Sequence, residues 1–65
     1  MIKVNEMIMK YDGRRSLDII LKEAGFDPRV VVVELNHVLI RRSDYKETFV
    51  EDNSFIEVFS FVGGG

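Results

Sequence analysis

The sequence closes on three glycines, Gly63, Gly64 and Gly65, set directly after an apolar run over residues 55–62. Without β-carbons, such a segment can thread a narrow tunnel in another protein and take backbone angles closed to other residues. The carboxylate on Gly65 is therefore the candidate reactive group. The plainer alternative is a solvated tail with no task. Side chains offer less chemistry. His37 is the only histidine and falls in a turn, and a metal or catalytic role would need partners that the sequence does not visibly gather. A solvent-exposed turn residue is the simpler reading. Glu47, Glu51, Asp52 and Glu57 lack the paired spacing of a general acid and base. Arg14-Arg15 and Arg41-Arg42 read as solvated loop charges. The chain is expected to hold no catalytic residue, no metal and no cofactor of its own.

Sixty-five residues make one small domain, and a chain this short buries only about 60% of the surface its unfolded form exposes. A deep enzyme cleft is hard to build at that size, so an independent enzyme is the least favoured reading. There is no cysteine, so the core must rest on packed Val, Ile, Leu, Phe and Met rather than on disulfides. A formal charge of −2 with both signs scattered gives no broad positive field for phosphates, and nucleic acid is not an expected partner. Polar Asn5 interrupts the N-terminus too soon for a signal-peptide apolar region, and the aliphatic run at residues 30–33 is too short to span a bilayer. The expectation is a cytoplasmic protein, away from membranes and monomeric when free.

Period-two alternation of Ile2 and Val4, then of Met7, Met9 and Tyr11, predicts two strands joined by a turn at Asn5-Glu6. Asp12-Gly13 supplies a second turn. Ser16 is a good N-cap, and Leu17, Ile20, Leu21 and Ala24 make one apolar stripe of a helix over roughly residues 16–24. Gly25 is placed as its left-handed C′ residue, and Pro28 keeps the helix from resuming. Residues 30–35 predict a strand covered on much of both faces, turning at Asn36-His37 into a short return strand at residues 38–40. In residues 41–53 the pattern weakens: Ser43-Asp44 can cap a helical turn, and residues 48–50 can form a brief edge segment. Asn53-Ser54 turns into the last strand, with Ile56, Val58, Ser60 and Val62 on one face and Phe55, Glu57, Phe59 and Phe61 on the other. The fold class is α+β, a roll of order ββαββ with one main helix on a mixed sheet. Residues 1–62 form the domain and residues 63–65 a flexible tail. Phe59, Phe61 and Val62 are candidates for partner docking; a one-residue slip in register would instead put the phenylalanines in the core.

The ββαββ order, the segment Val31-Val32-Val33-Glu34-Leu35-Asn36 followed by Val38-Leu39-Ile40, then Arg42-Ser43-Asp44-Tyr45, and above all the ending Phe61-Val62-Gly63-Gly64-Gly65 resemble the ThiS family of sulfur carriers. The resemblance covers essentially the whole chain. Two positions depart from the family pattern: His37 stands where the turn often has glycine, and Arg41 where a proline often precedes the arginine. What the resemblance implies is a ubiquitin-like β-grasp fold and a cycle run by other proteins. An E1-like adenylating enzyme would activate the Gly65 carboxylate with ATP, a sulfur-relay enzyme would convert it to a thiocarboxylate, and thiazole synthase would consume the sulfur in making the thiamine thiazole. Gly63 and Gly64 would be the tail that enters the partner's active site.

This chemistry suits the residues. A carboxylate is a poor electrophile because oxide would have to leave, and an adenylate supplies a better leaving group. Side chains near the acyl carbon would block its approach to ATP. Three other readings remain: the small subunit of molybdopterin synthase, a ubiquitin-like modifier joined to lysines, and an interaction module whose glycines are idle.

Overall fold

The computed structural model describes residues 1–60. Its first hairpin joins β1 (Ile2–Val4) to β2 (Met7–Met9), pairing Val4 with Met7 across Asn5-Glu6. Asn5 takes a positive φ of 53°, a conformation that asparagine tolerates better than most residues. A two-residue strand, β3 (Arg15–Ser16), leads into α1 (Leu17–Glu23), and β4 (Val31–Leu35) and β5 (Val38–Ile40) make the second hairpin. Asn36 and His37 both have positive φ, 50° and 70°, as a tight hairpin turn between twisted strands requires. A 3-10 helix (Arg42–Glu47), β6 (Phe49–Val50) and β7 (Phe55–Ser60) follow.

The main sheet runs β2-β1-β7-β4-β5. β7 lies parallel to β1 and antiparallel to β4, so the last strand fills the gap between two hairpins made earlier in the chain. One face of this sheet packs on α1. Ile2, Val4, Val31, Val33, Ile56 and Val58 meet Leu17, Ile20 and Leu21 there, with Tyr45 and Val50 closing the side. Each aliphatic side chain removed from water in this way contributes about 1.5–3 kcal/mol.

The helix follows its apolar stripe: Leu17, Ile20 and Leu21 are fully buried while Ile19 is 43% exposed. Ser16 occupies the N-cap position but makes no side-chain cap. Its hydroxyl donates to the Asp18 carboxylate at 2.5 Å, and the Leu17 N–H donates to the Thr48 carbonyl at 2.7 Å. The β3–β6 pairing thus supplies a backbone acceptor at the helix start. At the other end Gly25 has φ +93°. Its N–H donates to the Lys22 carbonyl, and the Phe26 N–H donates to the Leu21 carbonyl, the paired closure of a Schellman motif. A turn over residues 27–30 then brings the chain into β4, with Val30 N–H donating to the Asp27 carbonyl at 3.1 Å.

One expectation needs correction. Residues 30–35 are not covered on both faces, because the single helix layer shields only Val31 and Val33, and Val32 and Glu34 lie half-buried on the open side. The weakly patterned stretch 41–53 does hold the expected helical turn and brief edge strand, and non-local contacts order them. Within it, β6 pairs with β3, and the buried Tyr45 donates its hydroxyl to the Val31 carbonyl at 3.0 Å. Burial pushes the Tyr45 hydroxyl pKa upward.

The Asp27 carboxylate accepts from the Arg29 guanidinium and backbone N–H, which together hold it down from 3.8 to about 2. A carboxyl depressed in the folded state adds stability above its unfolded value and loses it as pH falls through the folded one. Asp27→Asn should therefore flatten part of the acid-induced fall in stability from pH 3.8 to about 2. Circular dichroism in an acid titration measures this, and identical acid limbs in the two proteins would refute it.

Candidate functional site

β7 carries the chain toward its terminal glycines, so the site begins with what fixes this strand. On one side β1 pairs with β7 only through Lys3–Phe55 and Val4–Ile56, after which the chain turns away. Asn5 continues the ladder beyond that point. Its N–H donates to the Ile56 carbonyl at 2.9 Å, its side-chain carbonyl accepts the Val58 N–H at 2.8 Å, and its amide donates to the Val58 carbonyl at 3.3 Å. The side chain takes the place of a peptide unit of the missing strand. On the other side Asn36 does the same at the start of β7: its N–H donates to the Phe55 carbonyl at 2.7 Å, and its side-chain oxygen accepts the Phe55 N–H at 2.8 Å. Two asparagines that the sequence marks only as turn formers are thus the residues that position the tail-bearing strand. Their signal was limited to turn chemistry, since each partner lies far along the chain.

The register of β7 puts Ile56 and Val58 inside, fully and almost fully buried, and leaves Phe59 46% exposed. For Phe59 the core alternative is therefore wrong: it stands on the open face, opposite Val32 of β4. Phe55 and Glu57 share that face. Phe55 carries the Lys3 ammonium over its ring at 5.9 Å and the His37 ring against it, edge to face, at 5.6 Å. The other expected site residues, Phe61, Val62, Gly63, Gly64 and Gly65, lie outside the described residues.

Folding also gathers something that the sequence did not show around His37. Glu34 of β4 and Glu57 of β7 are direct cross-strand partners, and His37 Nδ1 lies 3.6 Å from Glu57 Oε1. These residues are 23 positions apart at the extremes, and the β4–β7 register together with the β4–β5 turn brings them together.

The ThiS family model matches residues 1–65. The chain belongs to the ThiS family. Among solved structures, this ThiS-family chain is similar to the crystal structure of thiamine biosynthesis protein ThiS from Geobacter metallireducens, with a TM-score of 0.77 and 28% identity, covering 98% of this chain and 97% of that one. It is similar also to the solution structure of a thiamine biosynthesis protein from the same organism, with a TM-score of 0.78, 25% identity and coverage of 98% and 86%. The mixed sheet with one main helix is the β-grasp fold of these ThiS relatives. A thiazole synthase of Paramagnetospirillum magneticum is 31% identical over 62 residues, which is 95% of this chain but only 19% of that protein. The chain therefore spans about a fifth of that relative. The uncharacterized protein ycf40 of Pyropia yezoensis is 36% identical over 50 residues, covering 77% of this chain and 70% of that one. Among the described residues no helix is long and apolar enough to cross a membrane.

If the Asn5 side chain holds β7, Asn5→Gly should destabilise the domain by about 1–3 kcal/mol, since a buried donor loses its partner, even though glycine accepts the positive φ more easily. Urea denaturation gives the loss, and faster exchange of the Val58 amide locates it. Stability equal to the parent would show that the clamp contributes nothing. Phe59→Ala, in contrast, should change stability by no more than about 0.5 kcal/mol, whereas Ile56→Ala should cost about 2–5 kcal/mol.

Proposed function

We propose that this chain delivers sulfur for the thiamine thiazole as a thiocarboxylate on Gly65. The observation that carries the reading is the ThiS-family match running through residue 65, which takes in the three glycines along with the fold that presents them. An E1-like enzyme transfers AMP from ATP to the Gly65 carboxylate with release of pyrophosphate. The outer sulfur of a persulfide on the relay enzyme displaces AMP at the acyl carbon, and a thiol then cleaves the resulting acyl disulfide, leaving the thiocarboxylate and a new disulfide. Thiazole synthase then takes the sulfur from the thiocarboxylate, which is ionised and nucleophilic at neutral pH. The chain acts as a co-substrate of these enzymes in the cytoplasm and contributes no catalytic side chain. Similarity to a segment of a protein named thiazole synthase supports that partnership, since a carrier and its consumer profit from a shared polypeptide through a raised effective concentration.

Gly63 and Gly64 let the acyl carbon reach two different active sites. Phe59, together with Phe61 and Val62, forms the docking contact that brings the tail to them. An exposed aromatic side chain such as Phe59 suits such a contact, because it adds buried area on binding without being needed by the core.

Intact-mass analysis after incubation with the adenylating enzyme, ATP and a sulfur donor tests the reading. Exchange of one oxygen for sulfur in the last peptide is expected, and inertness under conditions that charge a known relative would count decisively against it. Gly64→Val should lower the extent of charging at least tenfold while leaving the urea midpoint unchanged. A one-residue C-terminal extension should abolish charging; a mere interaction module would be indifferent to both changes.

A further inference from the structure

We propose that Glu34, His37 and Glu57 form a binding site for a divalent transition-metal cation of the Zn²⁺ type on the open face of the sheet. One ligand atom from each residue lies within 4.8 Å of the others, and His37 Nδ1 is already 3.6 Å from Glu57 Oε1. Ligands around tetrahedral zinc sit about 3.3–3.5 Å apart, given metal–ligand bonds of roughly 2.0–2.2 Å. Small rotations of the three side chains therefore close the set, and the backbone need not move.

The charge of the site points the same way independently of the distances. Glu34 and Glu57 face each other directly across the β4–β7 ladder, an arrangement in which like charges repel. Both residues are half-buried. Among the described residues, no lysine or arginine makes an ion pair with either carboxylate, and Lys3 on that face is engaged over the Phe55 ring instead. A divalent ion would balance the two negative charges.

The donor set also selects the metal. One imidazole and two carboxylates suit Zn²⁺ and its neighbours, whereas Mg²⁺ and Ca²⁺ prefer oxygen ligands alone and more of them. The elements that bear the ligands are firmly held. Asn36 ties the turn to Phe55 through two backbone-directed hydrogen bonds, and the His37 ring rests edge-on against the same Phe55. Three protein ligands leave a fourth vertex for water, beside the exposed Phe59 face. The site does not depend on the sulfur-carrier reading.

Calorimetric titration of the whole chain with ZnCl₂ in a chelator-free buffer near pH 7.5 is the test, with His37→Gly and Glu57→Gln in parallel. His37→Gly removes the ligand while keeping the turn, because Asn-Gly is the preferred pair for such a hairpin. One equivalent should bind to the parent, at least tenfold more weakly to each variant, and MgCl₂ should not compete. Zinc should raise the thermal midpoint of the parent and leave that of His37→Gly in place. Absence of binding up to millimolar zinc, equal affinity in His37→Gly, or equal binding of magnesium would each overturn the proposal. An amide spectrum matching the parent confirms that His37→Gly is folded, so it decides the matter even if Glu57→Gln is not.

Discussion

The hydrogen bonds that two asparagine side chains make to β7 are the constraint on which the architecture turns. β1 is too short to pair along the whole of β7, and β4 ends opposite Ile56, short of Phe55 at the start of β7. Asn5 and Asn36 complete the ladder at those two places, each from a turn in the left-handed conformation. The amide group is the one neutral side chain that offers a donor and an acceptor in the geometry of a peptide unit. The same residues thus shape two turns and secure the strand that leads to the glycines.

The local devices were readable. Alternation at residues 2–9, the stripe of Leu17, Ile20 and Leu21, and Gly25 after the helix each depend on neighbours within a few positions, and the structure follows them. Alternation in residues 55–60 likewise put Ile56 and Val58 inside and Phe59 outside. What could not be read was set by partners distant in sequence. Ser16 looks like a self-sufficient cap, but Thr48 supplies the acceptor for Leu17 instead. Residues 41–53 have little periodicity because their order comes from Tyr45 reaching the Val31 carbonyl and from β6 lying against β3. Val32 looked like an interior residue from its type alone, and only the presence of a single helix layer leaves it on the open side. In the candidate site, parity put Phe59 opposite Ile56 and Val58 but left the register open, which the structure settles by leaving Phe59 exposed, while the grouping of Glu34, His37 and Glu57 required the β4–β7 register and the β4–β5 turn.

The two faces of the sheet divide the work of the molecule. The helix side holds the apolar contacts that keep a 65-residue chain folded. The open side carries Phe55, Glu57 and Phe59 with side chains that the core does not require, which leaves them free to meet another protein. This separation lets residues on one face vary without loosening the packing on the other. The position of His37 illustrates the freedom: histidine is one of the non-glycine residues that enter the left-handed region more readily, and its ring lies against Phe55 on the open face and not in the core.

The central place of β7 has a further bearing on how the protein comes off the ribosome. Until that strand is added, the first hairpin and the second have no ladder between them, and the missing contacts to β1 join residues about fifty positions apart, as in Lys3–Phe55. Such long-range closure is slow and comes late. Before β7 emerges the chain is therefore two separate hairpins with no ladder between them, and the five-stranded sheet closes only when that strand arrives.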